Sequence, residues 1–186
     1  MTQKLWQKKL KLNYSKDVYD IVQFGSSVIE EKIPSDIDVA VIFNKIPLKD
    51  QLIQAQKIKK QLEVFSKLQI HIKSYDLYSL FNKSNFAKED ILFYGQSLIS
   101  QDYFSKKFGF SPRLQIYYFL KDLKKKDKIR FNYLLNGKKG KYGLLRKYKG
   151  KLLKPGLIEI FPEYEEIFTK SIKKLITNFE LRKILF

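Results

Sequence analysis

Cysteine is absent from this 186-residue chain, so disulfide bonds and thiolate metal sites are excluded. No segment approaches the roughly 20 uninterrupted apolar residues needed to cross a bilayer. The opening stretch, Met1 to Lys11, carries four lysines but no apolar core of the kind a secretory signal requires. A membrane partner is therefore not expected, and a cytoplasmic location is. Tracts rich in Gly and Ser or in Pro are missing too, which argues against extended disorder. Histidine occurs once, at position 71.

What is present is apolar and basic. Apolar residues make up 44% of the chain and aromatic residues 15%, enough to bury a core in one domain or in one domain with a compact appendage. The net charge of +18 is unevenly spread. Residues 1–100 hold 15 basic and 11 acidic side chains, whereas residues 101–154 hold 17 basic and 3 acidic ones, a net +14. The final 32 residues are neutral, so the charge is local to one region.

Trp6, Leu10 and Leu12 lie among lysines with little periodicity, and the opening reads as a short helix or an arm. Val18 to Phe24 is rich in β-favouring residues and reads as a strand closed by Gly25-Ser26-Ser27. Asp36 to Phe43 alternates and then becomes apolar, giving a second strand with both aspartates on one face. Pro47 suits a helix start, and Leu48, Leu52, Ala55, Ile58, Leu62 and Phe65 recur at helical spacing as far as Leu68. Gln69 to Lys73 reads as a third strand, with Gln69, His71 and Lys73 on one face. Ala87 to Tyr94 reads as a helix ended by a left-handed Gly95, and Ser97 to Ile99 as a return to the sheet.

In the second half, Ser111-Pro112 reads as a helix cap, with Leu114, Tyr117, Tyr118 and Leu123 continuing the helix to about Lys126. Ile129 to Leu135 reads as a strand before an Asn136-Gly137 turn, and Leu157 to Phe161 as another. Pro162 opens a final helix whose acidic first turn and later lysines match its dipole. Its apolar face is Tyr164, Ile167, Phe168, Ile172, Leu175 and Ile176.

The stretch that carries chemistry is Phe24-Gly25-Ser26-Ser27 and, beginning nine residues after Ser27, Asp36-Ile37-Asp38 followed by Val39-Ala40-Val41. A Gly-Ser turn after a strand exposes backbone N–H groups and hydroxyls suited to the phosphates of a nucleoside triphosphate, here from Gly25, Ser26 and Ser27. Two carboxylates on one strand face, Asp36 and Asp38, suit Mg²⁺ or Mn²⁺ bridging triphosphate oxygens. This arrangement resembles the signature of the DNA polymerase beta superfamily of nucleotidyltransferases over roughly residues 15–100. In size the chain is most similar to the minimal nucleotidyltransferases, which include partners of HEPN-type toxins. The later Glu89-Asp90-Ile91-Leu92-Phe93-Tyr94-Gly95 looks like the helix that follows in those small domains. The resemblance implies an NTP substrate, a divalent metal held by Asp36 and Asp38, and a small mixed α/β sheet with flanking helices.

On the third strand the family supplies a further carboxylate, whereas this sequence has His71. Imidazole is a poor Mg²⁺ ligand and suits softer metals. Three roles stay open for it: general base near neutral pH, ligand to Mn²⁺, or mark of a degenerate site, with an uninvolved histidine as the plain alternative. Asp76, three residues past Lys73 and able to swing in from the strand end, is a weaker candidate for the missing carboxylate.

Residues 121–154 combine Lys124, Lys125, Lys126, Arg130, Lys138, Lys139, Lys141, Arg146 and Lys147 with Phe131, Tyr133, Tyr142 and Tyr148. Lysine and arginine neutralise phosphates, and exposed tyrosines stack on unpaired bases, so RNA or single-stranded DNA is the expected partner. A lysine-rich solvated surface is the rival reading. The expected organisation is a nucleotidyltransferase-like domain over 1–105 and a basic α/β appendage over 106–186. The expected activity is metal-dependent transfer from an NTP to a nucleic acid. The rivals are transfer to a protein partner and a catalytically silent nucleic-acid-binding module.

Overall fold

The structure, a computed structural model, describes residues 4–186. Leu5–Gln7 forms one 3-10 turn and the following segment lacks regular structure up to the first strand, so the opening is both short helix and arm. The part of that expectation covering residues 1–3 lies outside the described residues. The chain forms two compact units. The first runs through Val28 and then Lys32–Ser111, and the second joins Ile29–Glu31 to Pro112–Phe186.

In the first unit the elements are β1 (Val18–Phe24), β2 (Asp36–Phe43), α1 (Leu48–Glu63), β3 (Gln69–Asp76), α2 (Leu77–Phe81), α3 (Lys88–Phe93) and β4 (Gln96–Ser97). The sheet order is β3-β2-β1-β4, with β2 and β3 parallel and the other pairs antiparallel. This is the mixed α+β architecture expected of a nucleotidyltransferase fold. Strand alternation sorts the sheet into two faces. Ile21, Ile37, Val39, Val41 and Ile70 pack with Ala55, Ile58 and Leu62 of α1. Val22, Phe24, Ala40 and Ile42 pack with Leu80, Ile91 and Phe104 on the other side.

Several details differ from the sequence reading: the helix expected over Ala87–Tyr94 spans Lys88–Phe93, and the return strand expected at Ser97–Ile99 spans Gln96–Ser97. Helix α1 stops at Glu63 rather than Leu68, because the Ser66 hydroxyl accepts the Leu68 N–H at 3.0 Å and fixes a turn, while Phe65 and Leu68 still reach the core. Strand β3 runs on to Asp76. Gly95 is not left-handed; its lack of a side chain matters for space, since a Cβ would meet the Ile91 carbonyl and lie 2.8 Å from Val22 Cγ1. At the sheet edge the fully buried Asp20 accepts from the Ser97 hydroxyl at 2.7 Å and pairs with Lys107 at 2.8 Å. A buried carboxylate is tolerated only when paired in this way.

The second unit contains β5 (Pro112–Tyr118), α4 (Lys125–Asn136), β6 (Gly137–Lys138), β7 (Lys141–Tyr142), α5 (Leu144–Lys147), β8 (Lys151–Lys154), β9 (Leu157–Ile160), α6 (Glu165–Lys173) and β10 (Phe179–Leu185). Its antiparallel sheet runs β10-β5-β9-β8. The expected helix after Ser111 is strand β5. Proline is acceptable as the first residue of a strand, and Leu114, Ile116 and Tyr118 alternate into the core. The expected strand at Ile129–Leu135 is helix α4. Apolar residues at 129, 131, 133 and 135 satisfy a two-residue period, yet only Phe131 and Leu135, four apart, are buried. Phe131 packs on Tyr118 with ring centroids 4.8 Å apart. The hairpin turn falls at Lys139-Gly140, three residues beyond the expected Asn136-Gly137. Helix α6 buries Ile167, Phe168 and Ile172 as expected. Strand β10 gave no apolar alternation because it is an edge strand with most of its residues exposed.

Candidate active site

The antiparallel register of β1 and β2 sets Phe24 opposite Asp38. Directly after Phe24 the chain turns through Gly25, whose φ of +72° is a region that favours glycine. A Cβ at Gly25 would lie 2.9 Å from Asp38 Oδ2, so the backbone of the turn comes against the carboxylate. Gly25–Val28 forms a 3-10 turn. Ser27 is buried inside it: its hydroxyl accepts from the Gln23 amide at 2.9 Å and donates to the Phe24 carbonyl at 3.2 Å. The Gln23 side-chain oxygen Oε1 in turn accepts the Leu5 N–H at 2.9 Å. Ser27 therefore holds the turn together, while Ser26 is half-exposed.

Asp36 and Asp38 share the β2 face that continues into Ala40 and Ile42, the face packed by α3. The parallel register pairs Asp36 with Gln69 and Asp38 with His71. His71 Nδ1 lies 3.3 Å from Asp36 Oδ2, so the histidine opposite one aspartate reaches the other. Burial raises the Asp38 carboxyl above its usual range, and the Asp36 charge adds to the rise. Lys73 and His71 pull it back, and Asp90 of α3 pushes it further up. The Lys73 ammonium stands 5.7 Å from the centroid of the Phe24 ring.

Two neighbours of the site were thus not singled out in the sequence. Lys73 was readable from the alternation of β3. Asp90 was not, because only the packing of α3 brings a residue so distant in sequence into electrostatic range of Asp38. Asp76 is not the missing carboxylate. It pairs with Phe43 at the far end of β3, and its carboxylate caps α2 by accepting the Ser79 N–H at 2.7 Å. That bond holds its carboxyl below the ordinary value.

The basic residues divide. Lys138, Lys139, Lys141 and Arg146 line one concavity of about 440 Å³ at the β6–β7 hairpin, together with Asn136 and Tyr142. Arg146 stacks on Tyr142 at 4.1 Å, and Lys138 lies 5.4 Å from the Tyr133 ring. Lys124, Lys125, Lys126 and Arg130 belong instead to the start of α4, where Arg130 pairs with Asp127 at 3.3 Å. Lys147 stands over Tyr148 at 4.9 Å. Of the four aromatics interleaved with the basic residues, Tyr133 and Tyr142 are exposed, Phe131 is core and Tyr148 packs on Tyr164 and Phe168.

A divalent cation fits the first-unit site. Two carboxylates on one strand face, one of them raised by burial and further by its neighbour's charge, form an anionic pair that a cation would relieve. Among the described residues no group of three or more His, Asp or Glu side chains is placed to hold a metal ion. A pair of carboxylates offers hard oxygen donors to a divalent cation whose remaining ligands would be waters and phosphates. Such an ion, when bound, would neutralise charge on a phosphoryl group. Among the described residues no helix is long and apolar enough to cross a membrane. No curated protein matches the chain closely enough to name a relative. Residues 4–98, just over half of the chain, match the nucleotidyltransferase domain family, and with the Gly25 turn set against the Asp36-x-Asp38 strand the chain belongs to that family.

Proposed function

We propose that the protein is a metal-dependent nucleotidyltransferase that takes an NTP at the Gly25-Ser26 turn and transfers its nucleotidyl group to a nucleic acid. The observation that carries this reading is the approach of the Gly25 backbone to the Asp38 carboxylate, with Asp36 on the same strand face. Phosphate-binding N–H groups and metal-binding oxygens are then adjacent, which nucleotidyl transfer requires. Asp36 and Asp38 hold Mg²⁺ or Mn²⁺, Gly25 and Ser26 receive phosphate oxygens, and Ser27 keeps the turn in shape. His71, within reach of Asp36, serves as general base for the acceptor hydroxyl. RNA or single-stranded DNA is the acceptor that the clustered cations of the hairpin and the exposed Tyr142 favour.

A second reading is favoured by one feature. The third strand offers His71 in place of a carboxylate, so the fold can bind nucleic acid without chemistry, and no feature speaks for a protein acceptor beyond the small size. Incubation of the purified protein with each labelled NTP, Mg²⁺ or Mn²⁺, and mixed small RNAs separates these. Label on RNA that disappears in Asp36→Asn/Asp38→Asn supports transfer to nucleic acid. Label on protein moves the acceptor to a polypeptide, and no label with either metal leaves the binding module.

A further inference from the structure

The chain holds 37 lysines and arginines, yet β1, β2, β3 and β4 together contain one, Lys73. It lies on the face of β3 shared with His71, opposite Ala40 and two residues along the face from Asp38. Its ammonium stands over the Phe24 ring, and Phe24 is both the residue before the Gly25 turn and the partner of Asp38 in the register. The side chain is exposed and belongs to no ion pair among the described residues. An aromatic face holds a cation in place without neutralising it. A lysine serving solubility would sit among others on a helix or loop, as the remaining described lysines of the first unit do. This one is held where the turn meets the carboxylates.

A nucleoside triphosphate carries more negative charge than one divalent ion neutralises, and the Gly25–Val28 turn contributes N–H and hydroxyl groups but no full charge. Building on the nucleotide site argued above, we propose that Lys73 is a phosphate-positioning residue that engages the polyphosphate of the bound NTP beside the Gly25-Ser26 turn. Lysine suits this as a compact, mobile point charge with three donors. No bond is made or broken by Lys73; it orients the phosphates against the carboxylate pair.

The test is equilibrium binding of ATP, ADP and AMP, repeated with the GTP, CTP and UTP series, in Mg²⁺ and again in EDTA. In the wild-type protein affinity rises with phosphate number. Lys73→Met is expected to weaken triphosphate binding by about tenfold or more, the loss of one charge-assisted contact, while AMP affinity changes little. The loss persists in EDTA, which separates it from the effect of removing a metal ligand, and Lys73→Arg restores most of the affinity. Equal effects of Lys73→Met on ATP and AMP, or none, would overturn the assignment while leaving the nucleotide site intact. If the wild-type protein binds none of the four triphosphates, the nucleotide reading itself falls, and Lys73 with it.

Discussion

The two units differ in how their chemistry is encoded. In the first, the candidate site is short in sequence: a Gly25-Ser26-Ser27 turn, an eight-residue gap and two aspartates, joined by one antiparallel register. In the second, charge is abundant but diffuse, and only folding sorts it. Four cations gather at the β6–β7 hairpin while four others lie along the start of α4. Catalytic geometry constrains residue type and spacing together. Electrostatic attraction to a polyanion constrains little beyond the sum of charges.

That contrast can be broken most decisively at the carboxylates. Asp36→Asn with Asp38→Asn is expected to lower transfer by about a thousandfold or more and to leave nucleic-acid affinity unchanged. Loss of both together, measured by labelled transfer and by binding in parallel, would mean that the units do not divide the work. Next in size is Phe131→Ala, which empties a fully buried site of the second unit and should cost about 3–5 kcal/mol. Hydrogen exchange should then quicken in β5 and β9 while β1 and β2 stay protected.

The hairpin sharpens the comparison within the basic region. Replacing Lys138, Lys139, Lys141 and Arg146 by Gln should flatten the dependence of log affinity on log salt by roughly three to four units. Replacing Lys124, Lys125 and Lys126 should change it less. An equal change from both sets would show that net charge, rather than the concavity, governs binding. Gly25→Ala forces a side chain into a left-handed backbone and against Asp38 Oδ2, for a stability loss of about 1–2 kcal/mol. Transfer should fall with it, because the displaced group is the carboxylate itself.

The smallest effect lies at Asp76, a helix cap rather than a ligand. Asp76→Ala should cost about 1 kcal/mol near neutral pH. The folded protein holds this carboxyl below its ordinary value of 3.8, so its contribution is fully present above that value. It is lost as pH falls through the lowered value. Urea melts of both forms should therefore converge in acid, and a difference that stays constant down to pH 2 would remove Asp76 from the capping role.

Legibility in the sequence followed burial. Strands β1 and β2 match their expected bounds because nearly every position is dictated by a core on one or both faces. Helix α4 and strand β5 were exchanged because each offers a pattern consistent with either period. Residues 129, 131, 133 and 135 alternate, and the pair 131 and 135 also fits one helical face. Among the candidate site residues, Asp36, Asp38 and His71 were legible because they lie on neighbouring strands with fixed alternation, and Gly25 because it opens the turn that ends β1. Ser27 was legible as part of the turn but not as its buried internal brace, since that role depends on Gln23.

By itself the sequence determined that a Gly-Ser turn and a pair of aspartates would lie at the mouth of one small sheet, because strand alternation and a short gap leave few other arrangements. Tertiary structure alone decided the rest. The pairing of β2 with β3 brought His71 to Asp36, packing of α3 brought the charge of Asp90 to bear on Asp38, and capping withdrew Asp76. In each case the deciding contact joins separate elements, and local periodicity carries no information about which elements will meet.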